Sequence, residues 1–139
     1  MKLGMDIYSV RSKGWDAFQL LDFSRRIGLD LVHFSDLAPF ASLEDDYLER
    51  VRARADALGL GIEVGMLSIC ESATIFDRSQ GSAVEQVTRM LHVADKLRSP
   101  ILRCVQGSSA DRETELPFEA HIENTIATCK AVRSQCLDL

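Results

Sequence analysis

Four times along this chain a short apolar run gives way to an amphipathic helical stripe, and no other feature of the sequence constrains the fold as strongly. The first run is Lys2–Val10, and Trp15, Phe18, Leu21 and Ile27 follow at helical spacing, with Gly28 placed as a C-cap. A second run, Leu29–Phe34, precedes the best-marked helix. Ser42 is its candidate N-cap, Glu44, Asp45 and Asp46 crowd the positive end of its dipole, Leu48, Val51, Ala55 and Leu58 form its apolar stripe, and Gly59 ends it. The third run, Gly61–Ile69, leads to a helix over Ser82–Leu97, where Ser99-Pro100 ends the helical conformation. The fourth, Ile101–Val105, leads to a helix whose apolar face is read as Phe118, Ile122, Ile126, Cys129 and Val132 or Arg133, extending to about Cys136.

Strands that alternate with helices are parallel, because a parallel neighbour is reached only by a crossover, and the crossover is right-handed. The expected architecture is therefore α/β: a single (βα)4 domain over residues 1–139. Four parallel strands leave two open edges, and open edges template association. After the fourth helix, Leu137-Asp138-Leu139 repeats the Leu29-Asp30-Leu31 exit of the first, as though a fifth strand were about to begin. The pattern reads as the front half of an eight-unit barrel, apparently lacking strands five to eight, or as a chain that pairs its edges with a second copy. A flavodoxin-like domain has a suitable length but usually five strands, and the acidic cluster expected after its first strand is missing.

Composition narrows the function without naming it. The 139 residues carry a net charge of −5, which argues against a nucleic-acid binder resting on phosphate contacts. No apolar run approaches the roughly 20 residues of a membrane span. Asp6 interrupts the stretch that a signal peptide would keep apolar, so a cytoplasmic location is expected, and Cys70, Cys104, Cys129 and Cys136 read as reduced thiols. Tyr8-Ser9-Val10-Arg11 holds no G-x-G-x-x-G, which leaves a dinucleotide fold little support.

Three segments carry a family resemblance. They are Lys2-Leu3-Gly4-Met5-Asp6-Ile7-Tyr8-Ser9, Ala57-Leu58-Gly59-Leu60-Gly61-Ile62-Glu63-Val64, and the passage from Ala94 through Ser99-Pro100 and Arg103 to Gly107. Together they resemble the first half of the xylose-isomerase-like TIM barrels, the sugar phosphate isomerase/epimerase group. The resemblance implies a divalent-metal enzyme that shifts a carbonyl or inverts the carbon beside it. It also implies a sugar or sugar phosphate as small-molecule substrate. The family's metal carboxylates and histidine lie mostly on strands five to eight, so no metal ligand is assigned to this chain. Two functional readings follow: the substrate-contacting N-terminal half of a metal-dependent isomerase/epimerase, not catalytic alone, or a non-catalytic, truncated half barrel stabilised by homodimerisation.

In such barrels the reactive face lies at the C-terminal ends of the strands. The catalytic candidates there are His33, suited to acid/base work near neutral pH, and Glu71, read as a base or an outer metal ligand. The substrate-binding candidates are Arg11, Asp36, Arg103 and Gln106. Each has a plainer reading beside the functional one. His33 can be a hydrogen-bonded interior histidine, Glu71 and Arg11 exposed charges, and Asp36 a turn residue. Arg103 can be a structural ion pair with Asp6 or Glu63. Cys70 and Cys104 are expected to pack as core residues. His92 and His121, inside helices, are expected at the surface.

Overall fold

The computed structural model describes residues 1–137. The expected entry to a fifth strand, at residues 138–139, lies outside them. Four parallel strands, β1 (Gly4–Asp6), β2 (Leu31–Phe34), β3 (Gly61–Ser68) and β4 (Leu102–Val105), lie in the order β1-β2-β3-β4. They alternate with α1 (Ala17–Arg26), α2 (Asp45–Leu58), α3 (Ala83–Lys96) and α4 (Phe118–Leu137). The α/β half-barrel alternation read from the sequence is the observed one. The chain divides into two compact units, Met1–Gly65 with Val93–Arg103, and Met66–His92 with Cys104–Leu139.

The first strand is far shorter than Lys2–Val10. Asp6 ends it, because the Asp6 carboxylate accepts the Tyr8 backbone N–H at 2.9 Å and turns Ile7–Lys13 into a 3-10 helix. An apolar run alone does not show where a side chain competes for the backbone. The helix starts are also locally encoded. At α1, Asp16 accepts from the Gln19 N–H at 2.8 Å and Gln19 Oε1 accepts from the Asp16 N–H at 3.1 Å, a reciprocal capping box. At α2 the N-cap is Glu44 rather than Ser42, and Ser42 Oγ instead accepts the Glu44 N–H at 3.1 Å one turn-residue earlier. At α3, Ser82 and Glu85 cap each other, and the Ser82 bonds hold the Glu85 carboxyl below its ordinary pKa.

In the first unit, β1 pairs with β2 and β2 with β3 in parallel, Asp6 lying beside His33 and His33 beside Glu63. Alternation along the strands then separates two faces. Val32, Phe34, Ile62 and Val64 turn to one face and are buried, with Leu20, Leu21, Leu48, Val51, Val93 and Leu97 also in the core. Asp6, His33 and Glu63 turn to the other. Arg52 ties the ends of neighbouring elements together: its guanidinium donates to the Leu97 carbonyl at 3.2 Å and the Leu60 carbonyl at 3.3 Å, and pairs with Asp56.

In the second unit, Cys70, Ala73, Phe76 and Ala83 form a buried cluster, so Cys70 packs as core. The helix α4 departs from the sequence reading. Phe118, Ile122 and Ile126 are 45%, 38% and 45% exposed and Cys129 is exposed, whereas His121, Thr128 and Val132 are buried. The most apolar stripe of the helix faces outward because α4 meets the rest of its unit through the polar His121. Among the described residues no helix is long and apolar enough to cross a membrane.

The first unit's core sets its stability. Leu21 is fully buried, so Leu21→Ala should cost about 2–5 kcal/mol through lost burial and the cavity left behind. Urea unfolding followed by circular dichroism measures this. A cost near zero would show that the α1 face is not packed as described.

Candidate functional site

In the first unit the polar groups of three adjacent strands converge with Arg103 on one face of the sheet. Arg103 Nε donates to His33 Nε2 at 2.9 Å, and Arg103 Nη2 stands 3.8 Å from the Asp6 carboxylate. His33 Nδ1 lies 3.6 Å from Glu63 Oε2. Because His33 Nε2 accepts a bond, the neutral ring carries its proton on Nδ1, turned toward Glu63. The lone pair that an acid/base histidine would offer a substrate is therefore already engaged. His33 orients the guanidinium of Arg103, whose side chain is 42% exposed. Arg103 is an exposed end of this row rather than a charge sunk in an apolar strand.

Gly65 is what makes room for this arrangement. A Cβ at that position would stand 2.9 Å from His33 Nε2 and 3.2 Å from the Arg103 carbonyl oxygen. The same unit holds a groove of about 170 Å³ whose walls include Tyr8, Arg11, Trp15, Asp36 and Pro39. Arg11 and Asp36 thus meet in one cleft. Arg11 lies 3.8 Å over the Tyr8 ring and donates to the Tyr8 carbonyl at 3.1 Å. Asp36 accepts from the Ala38 N–H at 2.9 Å, the turn bond expected of an aspartate there. The groove thus brings a cation, an anion and two aromatic residues together, the guanidinium lying over one face of Tyr8.

The second unit contains a larger cavity of about 390 Å³, with Gln106, Ser108, Asp111, Arg112, Phe118 and His121 among its walls. Gln106 Nε2 is buried without a protein partner, an amide donor in want of an acceptor. Asp111 is the cavity's anchor. Its carboxylate accepts the Ser108 and Thr74 N–H groups, each at 2.5 Å, and these bonds hold its pKa below the ordinary aspartate value. Gly107 carries no side chain because a Cβ would collide with Asp111 Oδ2.

Glu71 does not line this cavity. Its Oε1 accepts the Ala83 N–H at 2.7 Å at the start of α3, and its carbonyl accepts from Arg78 at 2.6 Å. The carboxylate is committed to a helix end, where negative charge is favoured. His121 corrects the sequence reading, being only 2% exposed. Its Nδ1 lies 2.9 Å from Ser72 Oγ and its Nε2 3.3 Å from Thr114 Oγ1. Neither Ser72 nor His121 stood out in the sequence, because the apolar stripe of α4 assigned His121 to the wrong face. Among the described residues no group of three or more His, Cys, Asp or Glu is placed to hold a metal ion.

Two outcomes check this geometry. Gly65→Ala forces a Cβ against His33, and overpacking of this kind should cost about 1–3 kcal/mol and shift the Arg103 Nε–H resonance. An unchanged resonance would mean that Gly65 does not govern the His33–Arg103 bond. Asp111 has a folded-state pKa lowered from 3.8. Its contribution to stability is therefore complete at neutral pH, is lost as pH falls from about 4 through the lowered value, and disappears in Asp111→Asn. Thermal melts of both proteins from pH 7 into acid should converge; parallel curves would show that Asp111 is not held as an anion.

No protein-family model matches the chain, and comparison with the curated proteins finds no match. Among solved structures, the chain is similar to D-psicose 3-epimerase from Clostridium cellulolyticum H10 in complex with D-tagatose, at a TM-score of 0.73 and 17% identity. It is also similar to a D-psicose 3-epimerase in the presence of D-fructose, at a TM-score of 0.75 and 12% identity. In both cases 99% of this chain aligns with 49% of the other, so the chain spans about half the length of the solved structures it matches. Its fold is that of one half of a TIM barrel.

Proposed function

We propose that the chain is the substrate-contacting N-terminal half of a sugar or sugar-phosphate isomerase/epimerase-like protein. The observation that carries this reading is the shared architecture with the D-psicose 3-epimerases, combined with hydroxyl-binding groups at the C-terminal ends of the strands. Arg103, held by His33, and Gln106, with its unpaired amide, are donors for sugar oxygens. Arg11 and Asp36 supply a cation and an anion beside Tyr8 and Trp15, whose rings suit the apolar face of a sugar. In this reading Glu71 supports α3 rather than abstracting a proton. The metal chemistry of such enzymes would require ligands from the other half of the barrel, and catalysis would require both halves together.

A second reading, a non-catalytic half barrel stabilised by homodimerisation, is favoured by the outward Phe118–Ile122–Ile126 stripe of α4. One sample separates the two. Saturation-transfer NMR with D-fructose and D-tagatose should show binding on the order of millimolar, and Gln106→Ala should weaken it by about 3–10-fold, the worth of one hydrogen bond. No saturation transfer with either sugar, from a sample that light scattering shows to be a dimer, would sink the substrate-half reading in favour of the second.

A further inference from the structure

The second unit contains a hydrogen-bond chain that the sugar-binding reading does not use. Thr114 Oγ1 donates its one proton to the Asp111 carbonyl at 2.9 Å. Its oxygen therefore accepts from His121 Nε2–H at 3.3 Å, which fixes the ring's proton on Nε2. His121 Nδ1 is left with its lone pair, and Ser72 Oγ lies 2.9 Å from it. The Ser72 hydroxyl accordingly points its proton at an imidazole nitrogen whose other nitrogen is held by a third group. That is the arrangement by which a weak hydroxyl nucleophile is activated. Cys70 Sγ stands nearby, 3.2 Å from Ser72 Oγ, but is fully buried with the His121 carbonyl at 3.3 Å.

The base of the pair borders a place for a ligand, and Ser72 adjoins another of its walls through Ala73. His121 and Ala73, the residue after Ser72, line the cavity of about 390 Å³, a volume within the usual range for small-molecule sites. Ala73 and Phe118 give it apolar walls. Gln106, another of its walls, holds a buried amide Nε2 without a protein partner.

We propose that Ser72 and His121 form a nucleophile–base pair that transfers acyl groups from small uncharged carboxylic esters. Ser72 Oγ bonds to the ester carbonyl carbon while its proton passes to His121 Nδ1. The tetrahedral adduct collapses with cleavage of the ester C–O bond, and the departing alkoxide takes the proton from His121 Nδ1. Water then adds to the acyl-serine, giving its proton to the same nitrogen. Cleavage of the Ser72 Oγ–acyl bond releases the carboxylic acid and returns the proton to Ser72.

The test is incubation of the chain with p-nitrophenyl acetate, followed by peptide mass mapping. The expected result is a burst of p-nitrophenolate and an acetyl group on Ser72. Ser72→Ala, checked for folding by circular dichroism, should lose both. His121→Gln should slow acylation by about 10²–10⁴-fold, the usual contribution of a general base. If His121→Gln fails to fold, the site of acetylation in the unaltered protein decides the matter alone. A wild-type chain without acetyl-Ser72, an acetyl group found on Cys70 instead, or a burst retained in folded Ser72→Ala would each overturn the proposal.

Discussion

The pleat of the parallel sheet governs the rest of the molecule. Successive side chains of a strand face opposite ways, so the register that buries Val32 with Ile62 and Phe34 with Val64 also aligns Asp6, His33 and Glu63 on the reverse face. The polar row is a geometric consequence of the apolar one. A one-residue slip of β2 would send His33 into the core and Val32 or Phe34 out of it. The buried valines thus hold the imidazole where Arg103 can reach it, and packing and polar chemistry are specified by one register.

A second dependence runs through glycine. Close approach of side chains from neighbouring strands needs space, and Gly65 supplies it for His33. Gly107 does the same for the Asp111 carboxylate, whose two oxygens tie Ser108 and Thr74. In both places a missing side chain lets a charged or polar group sit against backbone, and the loops that carry candidate ligand groups are set by those contacts rather than by apolar burial.

Periodicity made the four strand-helix units legible, because helical stripes and strand runs differ in period whatever their neighbours. The pairing of Arg103 was partly legible: a charge in an apolar run calls for a partner, and Asp6 was one of those foreseen. Other features depended on information that a linear pattern does not carry. The end of β1 is set by the Asp6 carboxylate capturing the Tyr8 amide, a competition between side chain and backbone. Glu71 looked like a strand-end carboxylate until the start of α3 was seen to consume it. On α4 the apolar stripe predicted the buried face, yet Ser72 and Thr114 bind His121 and turn the helix the other way. A polar anchor can outvote an apolar stripe when three hydroxyl and imidazole groups satisfy one another.

The brevity of β1 has a bearing on the fate of newly made chains. An outermost strand is a danger in a crowded solution because its unpaired N–H and C=O groups can recruit any extended segment that drifts past. Here the chain leaves the sheet after Asp6 and coils its next amides into a 3-10 helix. An intruding strand meets a landing strip of only Gly4, Met5 and Asp6. The aspartate that shortens the strand therefore also leaves this edge little to template.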